Sequence, residues 1–132
     1  TEMDPAWGWA AGAMVSTPSE LNTFFQAIFD GRLLSQSSIQ EMKKGVDIGS
    51  GGRVYGLGLI GTPLSCGGTA WGHGGDIAGY HTRGGVGPDG TAVTVAVTAL
   101  PTAIADQNNP ENSAKEKAGK IAEAVDISLC HK

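Results

Sequence analysis

Basic residues are scarce in this 132-residue chain: nine lysines and arginines accompany thirteen aspartates and glutamates, for a net charge of −4. Nucleic-acid binding requires a concentrated positive surface, so this composition argues against that class of function. Long apolar runs are also missing, because the longest, Ala92 to Leu100, contains threonines and is too short to cross a bilayer. No signal-peptide pattern is present, although such a segment is removed from mature secreted proteins.

Cysteine is limited to Cys66 and Cys130. Neither belongs to a Cys-x-x-Cys or His-x-x-Cys cluster, so we expect no metal site, and no motif of the chain calls for a cofactor. The residues alone are compatible with two buried thiols or with one disulfide. A disulfide would indicate a secreted or periplasmic protein.

Nucleophile motifs of hydrolases are missing as well. The chain contains no Gly-x-Ser-x-Gly, Ser-x-x-Lys, Tyr-x-Asn or Ser-x-Asn, and neither a Walker loop nor His-Glu-x-x-His. It therefore offers no nucleophile with a supporting pattern. Thr1 leaves one alternative, an N-terminal-nucleophile hydrolase, which only its position supports.

Glycine, in contrast, is abundant, with 21 residues, and it surrounds His73 in the stretch GHGG at 72–75. His73 is a candidate general acid or base, or a positive charge beside an anion. Gly74 and Gly75 would let the backbone approach a substrate, and the N–H of Asp76 would then be placed to donate to an oxyanion. The alternative is a histidine held by hydrogen bonds in a tight turn.

Hydrophobic spacing and caps predict three helices. The first begins after Thr17 and stops at Gly31, with a capping box at its start; the second follows Ser35 and ends near Lys44; the last begins at Asn109-Pro110.

Strands are predicted between the second and third helices. A hairpin is expected from Tyr80–Val86 and 91–100 around the turn 87–90, with a short strand starting at 69–71 and another at 54–60. Residues 45–53, 61–68 and 101–109 are predicted to be loops. His81 alternates with its neighbours on the hairpin and is expected at the surface. Helices, then an antiparallel meander, then a helix is an α+β order.

Two parts of the sequence resemble the penicillin-recognising serine hydrolases. AGAMVSTPSELNTFFQAIFDGRLLSQSSIQEM (11–42) is similar to a family pattern of a small-residue turn, Ser-Thr, a helix, Leu-Leu and a short helix. YGLG (55–58), followed by WGHGG (71–75) and GY (79–80), resembles the strand of the family's third motif, Lys-Thr-Gly or His-x-Gly. The resemblance runs over about residues 5–130.

This resemblance implies the C-terminal part of a β-lactamase/transpeptidase-like α+β domain, an antiparallel sheet with flanking helices. Residues 1–50 would be mainly helical, and 51–132 would supply strands and the C-terminal helix. The implied partner is an N-terminal segment of the same enzyme carrying Ser-x-x-Lys and Tyr-x-Asn. The implied activity is serine acyl transfer on peptide, amide, ester or β-lactam substrates, similar to D-alanyl-D-alanine carboxypeptidases. A binding module that kept this fold without the chemistry is the alternative.

The resemblance also implies roles for individual residues. His73 would keep the cleft positive and assist proton transfer, the Asp76 N–H would be an oxyanion donor, and Gly74 and Gly75 would contact substrate. The carboxypeptidases of the family have threonines at the positions of Gly74 and Asp76, where the hydroxyls help to hold the substrate's terminal carboxylate. An acidic Asp76 would repel that carboxylate, so we expect the specificity to differ.

The secreted carboxypeptidases of the family have a cysteine seven residues before the motif histidine, and it pairs with one near the C-terminus. This implies a Cys66–Cys130 disulfide and a secreted protein. An aromatic side chain lines their cleft, a role open here to Trp7 or Trp9, with ordinary packing as the alternative.

Overall fold

The structure, a computed structural model, describes residues 4–49 and 51–131. Thr1 and the side chain of Trp7 lie outside what it describes. The helices are α1 Pro18–Phe29, α2 Gln36–Lys43 and α3 Pro110–Cys130, with 3-10 segments at Pro5–Ala11 and Pro101–Ile104. The strands are β1 Val46–Asp47, β2 Val54–Tyr55, β3 Ile60–Pro63, β4 Thr69–Gly72, β5 Gly75–Ile77, β6 Tyr80–Val86 and β7 Ala92–Val97.

The three predicted helices are present, and each begins directly after its predicted cap residue. At α1 the Thr17 hydroxyl accepts from the Glu20 N–H at 3.3 Å, while the Glu20 carboxylate accepts from the Thr17 N–H at 2.8 Å. Ser35 caps α2 by accepting from the Ser38 N–H at 3.2 Å. Asn109 precedes α3, but its side chain makes no capping hydrogen bond. The caps at Thr17 and Ser35 satisfy backbone donors that the first helical turn leaves unpaired.

All seven strands form one antiparallel sheet in the order β1-β2-β3-β4-β6-β5, and β7 pairs with β6. β7 pairs with one edge of β6 from His81 to Val86. The other edge is shared, because β4 pairs at Val86 and β5 pairs at Tyr80 to Thr82. β4 and β5 are thus consecutive pieces of one bent strand, and residues 73–74 form the bend.

The sheet differs from the sequence prediction in its first half. The stretch predicted as one strand at 54–60 is instead β2, a tight turn and the start of β3, and Gly58 in that turn has a φ of +69°. The expected loop at 45–53 contains β1, so strands begin before residue 51. Gly56 follows β2, and its backbone packs directly against the end of α2. A Cβ on Gly56 would lie 1.9 Å from the Met42 carbonyl oxygen, so only glycine fits at this position of the turn.

Hydrophobic residues cover both faces of the sheet. On one face Phe25 and Ile28 of α1 pack with Leu59 and Val86. On the other, Leu129 of α3 packs with Leu64 and Ala70. In the part of the chain that the structure describes, no helix is long and apolar enough to cross a membrane.

Candidate functional site

Close backbone contacts fix the bend that carries His73. A Cβ on Gly72 would lie 2.4 Å from the Gly84 carbonyl oxygen, so β4 crosses β6 at a distance that only glycine permits. A Cβ on Gly74 would lie 2.5 Å from the Thr82 carbonyl oxygen and 2.7 Å from Nη1 of Arg83. Gly74 therefore has a packing reason that does not involve a substrate. Between these two contacts His73 projects as an exposed side chain.

The His73 ring is held at both nitrogens. Nδ1 lies 2.7 Å from the Gly74 carbonyl oxygen, and Nε2 lies 3.0 Å from the Tyr55 hydroxyl, with the two rings edge to face. A carbonyl oxygen only accepts, so Nδ1 carries a proton. In the neutral ring Nε2 is then the acceptor and Tyr55 the donor, and on protonation Nε2 becomes the donor to Tyr55. The pair can therefore pass a proton through the tyrosine oxygen without rotating the imidazole.

Tyr55 is positioned beside His73 by backbone hydrogen bonds that hold the residues after β2 to the end of α2 and to the start of β3. The Leu57 N–H donates to the Met42 carbonyl at 2.9 Å, and the Gly56 N–H donates to the Leu59 carbonyl at 2.8 Å. Gly45 is close as well, since a Cβ there would lie 2.8 Å from the Tyr55 carbonyl. Tyr55 belongs to the YGLG stretch of the family resemblance, but its role could not be predicted from the sequence, because the contact joins residues 18 positions apart.

Asp76 is not an isolated negative charge. Its carboxylate accepts from both Nη atoms of Arg83, at 3.1 and 3.0 Å, and contacts Nδ1 of His81. The hydrogen bonds from Arg83 hold the pKa of the Asp76 carboxyl below its ordinary range. The expected repulsion of a substrate carboxylate is consequently weakened, because the charge is compensated within the hairpin.

His81 is buried, with 2% of its surface exposed, which corrects the prediction of a surface residue. It pairs with Asp76 across the β5–β6 ladder and with Val97 across the β6–β7 ladder, so strands flank it on both sides. Its Nε2 is buried and finds no hydrogen-bond partner among the described residues. No sequence pattern predicted β5, the strand that places Asp76 beside His81.

The register of the β5–β6 hairpin also directs the Asp76 N–H. Only Ala78 and Gly79 separate Ile77 from Tyr80, and in such a two-residue hairpin the flanking pair exchanges hydrogen bonds. Pairs alternate along an antiparallel ladder, so the next pair, Asp76 and His81, does not. The Asp76 N–H therefore points away from β6, toward the edge of β5 that pairs with no described strand.

The other predicted site residues lie apart from this cluster or contribute only backbone. Gly75 begins β5, where a Cβ would lie 3.3 Å from the Thr82 hydroxyl. Trp9 is 83% exposed, so it lines no enclosed cleft within the part of the chain described. Cys66 and Cys130 form a disulfide between the β3–β4 turn and the end of α3. No group of three or more His, Cys, Asp or Glu side chains among the described residues is arranged to hold a metal.

A cleft lies on the α1 face of the sheet. This cleft, of about 610 Å³, is lined by Phe29, Lys43 and Trp71, among others. The Lys43 ammonium lies 4.9 Å from the Phe29 ring centre, and burial lowers the pKa of Lys43. None of the predicted site residues lines it.

Comparison with known proteins places the geometry in context. The Beta-lactamase family model matches residues 1–119. The chain belongs to the Beta-lactamase family. Its similar solved structures in this family of serine hydrolases include a D-stereospecific amidohydrolase from Streptomyces sp., at 40% identity over 72% of this chain and 29% of that one, with a TM-score of 0.65.

D-amino acid amidase from Ochrobactrum anthropi SV3 is similar as well. Its structure with D-phenylalanine is 28% identical over 84% of this chain and 37% of that one, with a TM-score of 0.58. Its structure with L-phenylalanine amide is 30% identical over 90% of this chain and 35% of that one, with a TM-score of 0.60. The chain thus spans about a third of the length of these relatives. The expected family and α+β fold class are confirmed.

Proposed function

We propose that this chain forms the C-terminal part of a serine hydrolase that cleaves amides of D-amino acids. The Ser and Lys of Ser-x-x-Lys, and Tyr-x-Asn, would come from an N-terminal segment of the same enzyme. The chain's lack of these motifs and the greater length of the similar amidases support this division. Phe24, Leu57 and Tyr80 are all more than half exposed, and they offer apolar surface for such a segment to cover.

One observation carries the proposal: the outward backbone N–H of Asp76 lies on the edge of β5 that pairs with no described strand, three residues after His73, whose imidazole is hydrogen-bonded at both nitrogens. In the proposed reaction the serine oxygen attacks the amide carbonyl, and the Asp76 N–H stabilises the oxyanion. The proton that the serine hydroxyl loses passes by way of the Lys or Tyr of the N-terminal segment to His73 and Tyr55, which relay it to the amide nitrogen, so that the C–N bond breaks and ammonia leaves. Water then hydrolyses the acyl-enzyme to the free D-amino acid.

Amides are favoured over peptides with a free terminal carboxylate for two reasons. The similar solved structures are named as a D-stereospecific amidohydrolase and a D-amino acid amidase. In addition, Gly74 leaves no space for a hydroxyl-bearing side chain at the middle of the motif. The Cys66–Cys130 disulfide supports the further proposal that the enzyme works outside the cytoplasm.

The substrate is tested by following ammonia release from D- and L-phenylalanine amide by the enzyme that contains this chain. We expect turnover of the D-amide, and a fall in kcat of about 10²–10⁴-fold in His73→Ala, as for loss of a general acid or base. His131→Ala is the matched control, since this exposed histidine lies at the end of α3. Equal activity of His73→Ala and wild type would refute the role of His73. Absence of D-amide turnover would refute the substrate.

The oxyanion role is tested by comparing Asp76→Pro with Asp76→Ala. Both remove the carboxylate, but only proline removes the N–H, and proline is tolerated on an outward-facing strand edge. A kcat for Asp76→Pro about 10²–10³-fold below that of Asp76→Ala is expected if the N–H stabilises the oxyanion. Equal rates of the two variants would exclude it.

A further inference from the structure

Arg83 connects three parts of the hairpin that borders His73. Its guanidinium donates through both Nη atoms to the Asp76 carboxylate, and Nη1 also donates to the Thr82 carbonyl at 2.7 Å. Nη1 and Cδ occupy the space beside Gly74, 2.7 and 2.9 Å from where a Cβ would be. One side chain therefore contacts the bend, β5 and the backbone of β6.

β5 has little else to hold it. It is three residues long, all three are exposed, and in the described chain it pairs only with β6. Two glycines precede its second residue, which makes the bend flexible in the absence of tertiary contacts. A bidentate Arg–carboxylate pair has defined geometry and is stronger than a neutral hydrogen bond. It is the main charged contact from β6 to β5, with His81 as a second donor to the same carboxylate.

We propose that Arg83 is a positioning residue that holds β5 against β6 and so fixes where the outward N–H of Asp76 lies relative to His73. The inference rests on the proposed function for its catalytic consequence, but not for its structural one. Arg83 thereby acts on the site through Asp76 and Gly74, without contact with the substrate.

Amide hydrogen exchange measures the structural consequence, the docking of β5, independently of catalysis. The N–H groups of Gly75 and Ile77 lie in the pairs that bond to β6, so their protection reports the docking of β5. In Arg83→Met we expect exchange at both to be faster by about tenfold, in line with the loss of a half-exposed charge-assisted pair. Arg83→Lys keeps the charge but loses the bidentate geometry. Protection of the Gly75 and Ile77 N–H groups in this variant should therefore lie between those of wild type and Arg83→Met.

Arg32→Met is the matched control, because Arg32 also pairs with an aspartate, Asp30 at 2.6 Å, but lies at the end of α1. It should leave exchange in β5 unchanged. Unchanged protection at Gly75 and Ile77 in Arg83→Met would overturn the proposal, whatever the enzyme's substrate. Global loss of protection, equal in β5 and in β7, would also overturn it, because Arg83 would then act on the whole fold.

Kinetics test the catalytic consequence. We expect Arg83→Met to lower kcat on the amide substrate while KM stays within about twofold, with partial rescue in Arg83→Lys, because a displaced oxyanion donor acts mainly in the transition state. Faster exchange in β5 with unchanged kcat would overturn the link to the site. Faster exchange in a protein that hydrolyses no D-amide would refute the proposed function and leave the structural role of Arg83 intact.

Discussion

Removing the disulfide tests the largest single covalent constraint in the fold. Cys66 and Cys130 are 64 positions apart, so their bond links the β3–β4 turn to the end of α3 across the whole β5–β7 region. A link of this kind stabilises mainly by restricting the unfolded chain, and the effect grows slowly with loop length. Replacing both cysteines by alanine should therefore destabilise the fold without exposing a new polar group.

The magnitude follows from the loop. The chain-entropy relation gives about 4 kcal/mol at 25 °C for a loop of this length. An unfolding entropy of about 2.1 cal/mol/K per residue amounts to about 0.28 kcal/mol/K for 132 residues. A loss of 4 kcal/mol should then lower the unfolding midpoint by about 15 °C for a folding unit of this size.

Urea titration and thermal scans of Cys66→Ala/Cys130→Ala against wild type measure this loss. Dithiothreitol should destabilise the wild type by a similar amount and leave the double variant unchanged, which controls for effects of the reductant. A double variant within about 1 kcal/mol of wild type would refute the reasoning. The hydrogen bonds from Ser65 to Asp126, next to the disulfide, would then be enough to hold α3 to the β3–β4 turn.

Three further predictions concern single positions. Leu59→Ala should lower the free energy of unfolding by about 2–5 kcal/mol in urea titration, because Leu59 is only 1% exposed and lies in the core under α1. Asp126→Asn should flatten the acid limb of the stability profile: hydrogen bonds from the Ser65 hydroxyl and N–H lower the Asp126 pKa, so its stabilisation is present above the ordinary pKa of 3.8 and is lost as the pH falls through the lower folded value. Gly72→Ala should lower the midpoint of thermal unfolding more than Gly119→Ala, because a Cβ at Gly72 meets the backbone of β6 and one at Gly119 meets nothing within 4 Å.

The helices and the main hairpin were predictable because their signals are local. Thr17, Pro18 and Glu20 stand within four residues of one another, and the capping box they predict forms. The turn residues at 87–90 likewise separate β6 from β7, although β7 ends at Val97 rather than at Leu100. Each of these features is determined by neighbours in sequence, so a pattern is enough to find it.

The first half of the sheet was not predictable from local patterns. The stretch 54–60 contains apolar residues in a strand-like run, but Gly56 must pack against the Met42 carbonyl and the chain reverses there. No pattern in the sequence predicts the 3-10 segment at Pro5–Ala11. In both places the structure depends on a contact or a turn that hydrophobic spacing does not encode.

Most of the site's geometry depends on the β5–β6 hairpin, which the sequence patterns did not predict. Once Ala78-Gly79 is recognised as a two-residue turn, the antiparallel register pairs Asp76 with His81 and brings Arg83, two residues further along β6, to the same face. Charge compensation of Asp76 by Arg83 follows from that pairing. The predicted repulsion of an anionic substrate assumed an isolated Asp76 carboxylate, whereas in the structure Arg83 compensates its charge. Tyr55 differs in kind: it meets His73, the residue after β4, across one intervening strand, β3, and no register within a single hairpin predicts this contact.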